Sequence, residues 1–452
     1  MKIIYLFLDA ISYEDSWLKE NTKMKNLKDF AKHSLNFHNH YSVTHNTIGN
    51  SGALLSGLSP TLTGVIGRTN GFENNKYGYL QQDLKKIDCS THFMTPTKFL
   101  FSSDKSYKIH FDEFTSLSSS MADYRVCAKN LNEQHYFRKV DELNVLENYF
   151  LGLHYIDCHE PYESPISYKL INKKLFPNIW DFLFTYENIF YRIPRRFLRL
   201  YIKPSTILKN IYTFKEYPNL KNLKPKCFGP LLSPERYSNF YKRCWENESL
   251  YNEFLQMKLL AHEYLDEQIA KFLNYVKKNS PKDTIIFFSS DHGNNGVLSP
   301  NYLEKNGLLN ELNTHIPLSI ITFDEEIKKK FNLEGNIKIY SSHTDFYNTA
   351  LRLYDFSVKE NEFEKNLLSM SNQERFIISE IQDIKKNKAQ TRLVSQDQLI
   401  DLRIKPMKNF KNWLLYRKED LLNNVSEKEF NIYVNYKKKY NDYFSKRINQ
   451  MS

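Results

Sequence analysis

At 452 residues, with 41% hydrophobic and 15% aromatic content, the chain can build two or three ordinary domains or one large α/β domain with insertions; 13 glycines and 15 prolines exclude a fibrous or low-complexity protein. The 63 basic residues outnumber the 52 acidic ones, and the net charge of +11 favours anionic partners: phosphate or sulfate esters, acidic glycans or an anionic membrane surface. No basic helix or zinc-finger spacing points to nucleic acid, five scattered cysteines without a CxxC pair exclude a disulfide framework, and no run approaches the ~20 apolar residues of a membrane span.

Residues 3–8 are continuously apolar and end at Asp9, the pattern of a buried parallel strand with an acid at its C-terminal end. That run is short and no small-residue cleavage site follows, so it reads as a strand rather than a signal peptide, and a cytoplasmic location is expected. A helix is predicted over 15–33 and an aromatic strand over Asn36–Tyr41. Tyr41 to Val65 follows, a run of hydroxyls and small residues that closes on Gly57-Leu-Ser-Pro60. Small residues let backbone N–H groups approach an anion, and a helix starting there turns its positive end toward it. Leu84–Phe101 suggests a helix or strand unit with a strand around His92, and Val145–Ile156 a strand leading into Asp157 and His159.

Residues 165–245 interrupt the alternation with an aromatic, basic, proline-punctuated stretch that includes Arg192, Arg195, Arg196 and Arg199. They read as an insertion, a solvated basic face with its own aromatic core, or a surface for peripheral membrane contact. Leu250–Lys278 carries apolar residues at helical spacing, and Asp283–Gly293 is a strand ending in Asp291 and His292. A strand over Ile316–Phe323, a helix after His343 and a C-terminal helix over Ser426–Arg447 complete the reading. The expected division is a catalytic domain over 1–385 and a C-terminal appendage over 386–452.

Acids and imidazoles recur, each close after an apolar strand: Asp9, Asp157 with His159, and Asp291 with His292. Carboxylates and imidazoles converging on one sheet edge are the makings of a divalent-metal site. In that order the chain resembles the sulfatase-like branch of the alkaline phosphatase superfamily. The residues that carry the resemblance are Ile3–Asp9, Phe37–Ser42, Leu54-Leu-Ser-Gly57 with Gly64-Val65, His159-Glu-Pro-Tyr162, Thr284–Gly293, His315-Ile-Pro-Leu318 and His343–Leu351. It implies an α/β, three-layer sandwich with a mostly parallel central sheet, here with the aromatic-basic insertion and a helical C-terminal tail.

Carried over residue by residue, the resemblance implies Thr47 as nucleophile and Asp9, Thr47, Asp291 and His292 as metal ligands, with Asp157 as a further candidate. It places His159 at the ester or its leaving group and makes His343 a second catalytic candidate. Asn46, Asn50, Ser51, His154 and Lys98 are candidates for substrate contact. The implied cofactor is a divalent metal: zinc or manganese, with magnesium or calcium as alternatives.

True sulfatases carry C/S-x-P-S-R where this chain reads Thr47-Ile-Gly-Asn-Ser51, so the formylglycine nucleophile is not expected. A threonine there resembles phosphoethanolamine and phosphoglycerol transferases. The expected activity is hydrolysis or transfer of a phosphate ester, glycan- or lipid-linked, with no nucleic-acid partner. A sulfatase using unmodified Thr47 and a non-catalytic anion-binding relative are the alternatives.

Overall fold

The computed structural model describes residues 1–63, 79–97, 110–118, 127–159, 246–294, 309–356, 365–369, 375–383, 388–404 and 425–451. Lys98, the 165–245 insertion and the Glu160-Pro-Tyr162 part of the resemblance lie outside the described residues.

In strand β1 (Lys2–Leu8) every residue after Lys2 is buried, and the side chains alternate between two cores. Ile3, Tyr5 and Phe7 enter one core, and Ile4, Leu6 and Leu8 enter the other. A strand covered on both faces belongs at the centre of a sheet, and β1 is there. The other strands of this sheet are β2 (Leu35–Tyr41), β3 (Ser90–Thr97), β4 (Glu113–Ser118), β5 (Tyr149–Tyr155), β6 (Thr284–Ser290), β7 (His315–Thr322), β8 (Gly335–Ile337) and β9 (Ser341–Ser342). The spatial order is β4-β3-β5-β1-β6-β7-β2-β8, with β9 also on β2. β1 runs parallel to β5 and β6, and β7 is antiparallel to both its neighbours.

Helices cover both faces, which makes three layers. One core takes Leu54 and Leu55 from the helix Thr47–Ser56 and Phe346, Tyr347 and Ala350 from Thr344–Leu353. The other takes Leu27 and Ala31 from the helix Lys25–Ala31 and Leu265, Ile269, Phe272 and Val276 from the 32-residue helix Glu248–Asn279. Among the described residues no helix is long and apolar enough to cross a membrane.

Two segments differ from expectation. The helix predicted over 15–33 is reduced to a 3-10 turn, Tyr13–Asp15, and the seven-residue helix Lys25–Ala31. Between them, Ser16 Oγ donates to Tyr13 O and accepts from Leu18 N, while Thr22 Oγ1 accepts from Met24 N. Side-chain hydroxyls that satisfy the backbone locally compete with the helix. Toward the C-terminus, β10 (Ile377–Asp383), β11 (Lys388–Val394) and β12 (Leu399–Ile404) form an antiparallel sheet under the helix Glu427–Met451. The boundary expected at 385 lies among residues 384–387, between β10 and β11 and outside the described residues. This C-terminal unit has its own core, which also takes in Leu58 and Leu62 from just beyond the helix Thr47–Ser56.

Candidate active site

The loops after β1 and β6 lie side by side at the C-terminal end of the sheet, where open α/β folds bind ligands. They are bound to each other. Ala10, held at φ 64°, donates its N–H to Asp291 Oδ1 at 3.1 Å, and Ile11 N donates to Ser290 Oγ at 2.8 Å. Ser290 Oγ in turn donates to His292 O at 2.6 Å. Ser12 Oγ accepts from Asn294 N at 3.1 Å and donates to Leu312 O at 2.7 Å. Gly293 is required by close approach, since a Cβ there would stand 2.0 Å from Leu312 O.

This interlock brings Asp9, Asp291 and His292 together, with one ligand atom from each inside 4.8 Å of the others. His292 Nδ1 faces its acceptor-only partner Gly293 O at 2.8 Å, so Nδ1 carries the proton and Nε2 turns its lone pair toward the carboxylates, 3.7 Å from Asp9 Oδ1 and 3.5 Å from Asp291 Oδ2. Both carboxylates are fully buried; among the described residues no donor reaches Asp9 Oδ1 or Asp291 Oδ2, while Asp9 Oδ2 has His154 Nε2 3.3 Å away. Burial opposes the charge of Asp9, but the imidazoles of His159, His154 and His292 outweigh it and hold that carboxyl down to about 2. Burial and then the charge of Asp9 push Asp291 up, against His292, His154 and the Thr47 hydroxyl. Two buried acids with bare oxygens and an imidazole lone pair fit a divalent cation, whose charge would relieve both desolvation and repulsion. Members of the superfamily use such a metal.

Thr47 opens the helix Thr47–Ser56, and its hydroxyl lies against Asp291. Asn46 and Asn50, expected as substrate contacts, are used by the protein itself. Asn46 Oδ1 caps the helix by accepting from Gly49 N at 2.8 Å. Asn50 Oδ1 accepts from Val43 N and Thr44 N, and its amide donates to Thr44 O and Asn46 O, so it clamps the loop that delivers Thr47. Ser51 Oγ is buried with no partner among the described residues.

His343 is repositioned in the same way. Its Nε2 faces Ser290 O at 3.0 Å and its Nδ1 faces Asn50 Oδ1 at 3.3 Å. Burial pulls it down to about 4, against the Ser290 carbonyl, and it sits between the helix Thr47–Ser56 and the end of β6. Asp157 is outside the three-ligand cluster: Ala128 N donates to both its oxygens, at 3.2 and 3.1 Å. His154 is a partner of Asp9, its Nε2 3.3 Å from Asp9 Oδ2 and its Nδ1 3.2 Å from Thr95 Oγ1. His159 is partly exposed and close enough for its charge to act on Asp9. Ser12, Ser290 and Thr95 are not singled out by the sequence; Ser12 and Ser290 are small hydroxyl residues within three positions of Asp9 and Asp291, and Thr95 gives no such signal.

No curated protein matches the chain. Solved structures of the same fold include an enzyme bound to its substrate D-glucosamine-2-N,6-O-disulfate, 16% identical over 89% of this chain and 88% of that one, with TM-score 0.62. A phosphonate monoester hydrolase from Silicibacter pomeroyi is 12% identical over 89% and 88%, TM-score 0.58. The lipoteichoic acid synthase LtaP from Listeria monocytogenes is 13% identical over 99% and 92%, TM-score 0.57. The sulfatase family model fits residues 2–356, a span that holds every strand of the large sheet together with Asp9, Thr47, Asp291 and His292. With that site on that sheet, the chain is an enzyme of the alkaline phosphatase superfamily and belongs to the sulfatase family.

Proposed function

We propose that the chain is a metal-dependent phosphoester hydrolase or phospho-group transferase with Thr47 as its nucleophile. One observation carries this reading: the Thr47 hydroxyl, at the first position of a helix, lies against the same Asp291 that joins Asp9 and His292 in a buried three-ligand cluster. A free alcohol is a poor nucleophile at neutral pH, with a pKa of about 15 like water's. A divalent metal held by Asp9, Asp291 and His292 would lower that pKa and offset phosphate charge.

The chain's own groups supply the rest. The Asn46 cap and the Asn50 clamp fix the direction of the Thr47 hydroxyl before substrate arrives. Thr47 Oγ1 releases its proton to water and attacks phosphorus in line, the P–O bond to the leaving group breaks, and a phosphothreonine is formed. The positive end of the helix lies at the same place and favours the charge on the non-bridging oxygens. His159, partly exposed and near enough for its charge to act on Asp9, donates the proton to the departing oxygen. Water completes hydrolysis, or an acceptor hydroxyl completes transfer.

Phosphorus rather than sulfur is favoured because threonine cannot become formylglycine. The fold also serves a phosphonate monoester hydrolase and a lipoteichoic acid synthase. The substrate class we propose is a glycan- or lipid-linked phosphate ester, with peripheral membrane contact through residues 165–245 and manganese or zinc as the metal.

Wild type and Thr47→Ala, each assayed for bound metal, should be tested on an aryl phosphodiester, a phosphomonoester and an aryl sulfate. Metal-dependent phosphodiester turnover is expected, with a loss of about a thousandfold or more in the variant. Sulfate ester turnover in place of it, or an alanine variant as active as wild type, would sink the reading.

A further inference from the structure

We propose that the C-terminal unit grips the Thr47 segment at both ends, and that the buried Lys437–Glu380 pair sets the distance between the two grips. The inference rests on Thr47 being the nucleophile.

Upstream of Thr47 the grip comes from β10. Ser379 Oγ donates to Ser42 O at 2.6 Å, and Glu380 N donates to Val43 O at 2.7 Å. Ser42 and Val43 lead directly into the loop that Asn50 clamps. Downstream the grip comes from the helix Glu427–Met451. Tyr440 Oη accepts from Ser59 N at 3.2 Å, Lys437 Nζ donates to Thr61 Oγ1 at 3.3 Å, and Leu58 and Leu62 pack among Ile378, Leu393, Leu402 and Tyr433. Glu380 therefore sits on the upstream grip and Lys437 on the downstream one, and the two side chains form an ion pair that is almost wholly excluded from solvent, 0% and 5% exposed. The pair joins β10 to the C-terminal helix, and so joins Val43 to Thr61 on either side of the nucleophile helix.

A buried ion pair adds little net stability over an apolar pair of the same volume, and its best-attested use is to fix register. Register matters at this site because a nucleophile displaced by about 1 Å can lose a hundredfold in rate. Asp9, Asp291 and His292 are held differently, by Ser12, Ser290 and Asn313 on the loops of the main sheet. β11 makes separate contacts with that region, Gln390 with Leu309 and Arg392 with Glu311. Disturbing Lys437 and Glu380 should therefore move the nucleophile while leaving Asp9, Asp291 and His292 in place.

The test compares the full-length chain with the Lys437→Met/Glu380→Leu double variant, which leaves no unpaired buried charge, and with the milder Ser379→Ala and Tyr440→Phe, which each remove one tether. The readouts are manganese affinity by calorimetry, amide hydrogen exchange over residues 41–63, and kcat and KM on bis(4-nitrophenyl) phosphate, with Thr47→Ala as reference. We expect manganese affinity within about twofold of wild type, faster exchange over 41–63, and kcat lowered by about ten- to a hundredfold at nearly constant KM. Should the double variant fail to fold, the two single variants carry the same readouts, with a smaller fall in kcat. Unchanged exchange over 41–63 would overturn the proposal. So would an unchanged kcat, or a manganese affinity that falls together with kcat. If wild type and Thr47→Ala turn over the substrate alike, the nucleophile assignment fails, and the exchange of residues 41–63 decides the grip on its own.

Discussion

Asp9 and Asp157 each end an apolar strand, and the sequence presents them as equals. What separates them is a donor 29 positions upstream: Ala128 N occupies both oxygens of Asp157, whereas Asp9 Oδ1 is left without a donor among the described residues and Asp9 Oδ2 faces His154 Nε2. Burial, opposed by the Ala128 amide, pushes the Asp157 carboxyl up to about 7. An unfolded aspartate titrates near 4, so folding favours its protonated form. The stability that this proton brings is complete below about 4, declines as pH rises, and is gone above about 7. Asp157→Asn should therefore show a flatter Tm between pH 5 and 8 than wild type, and a higher Tm at pH 8. A wild-type Tm that is level across that range would rule this out. The same blindness applies to Asn50 and His343, whose partners at Val43, Thr44 and Ser290 meet only in the folded chain.

At the scale of elements, the legible ones were those whose pattern needs no partner to explain it. β1 and β6 are apolar on both faces, and the helix Glu248–Asn279 repeats its apolar residues over 32 positions. The C-terminal sheet was missed because its polar residues are buried through specific pairings, Gln390 with Leu309 and Asp401, Arg392 with Glu311 and Glu380 with Lys437. Read singly, such residues suggest an exposed tail. The short helix Lys25–Ala31 shows a related dependence. Its N-terminus is capped from the long helix, where Asp266 accepts from Asn26 N, Asn26 Nδ2 and Leu27 N at 2.7–2.9 Å. Asp266→Ala leaves two backbone N–H groups without their acceptor and should cost about 2–3 kcal/mol of stability. Denaturant titration measures that cost, and manganese binding should be unaffected. A loss under about 0.5 kcal/mol would show that the capping is incidental.

For the molecule as a whole, the three-ligand cluster of Asp9, Asp291 and His292 is a source of strain. Asp9 and Asp291 are both buried, and burial first, then the charge of Asp9, pushes the Asp291 carboxyl up. A cation held there binds the folded chain and not the unfolded one, and contributes about 2.7 kcal/mol at a hundred times its dissociation constant. Treatment with EDTA should lower Tm by several degrees, and manganese or zinc should restore it. Asp9→Asn should abolish the response; a Tm indifferent to chelator would remove the metal from the account. The general plan of this centre was readable, since acids and imidazoles follow strands in order. The packing that makes it rigid was not, because it lies in serine hydroxyls and carbonyls with no spacing rule.

The position of β1 also has a consequence for how the chain comes to fold. It precedes the other described strands in the chain, and it lies between β5 and β6, with Lys2 opposite Tyr149 on one side and Thr284 on the other. Six consecutive buried residues must therefore wait for partners almost 150 and more than 280 positions away. Pairings so distant in sequence are slow to form, and the unpaired strand is open to aggregation in the interval. The three-ligand site cannot exist before β6 is in place, since Asp9 and Asp291 stand at the ends of strands that become neighbours only then. Assembly of the three ligands thus falls late in folding, after the centre of the sheet has closed.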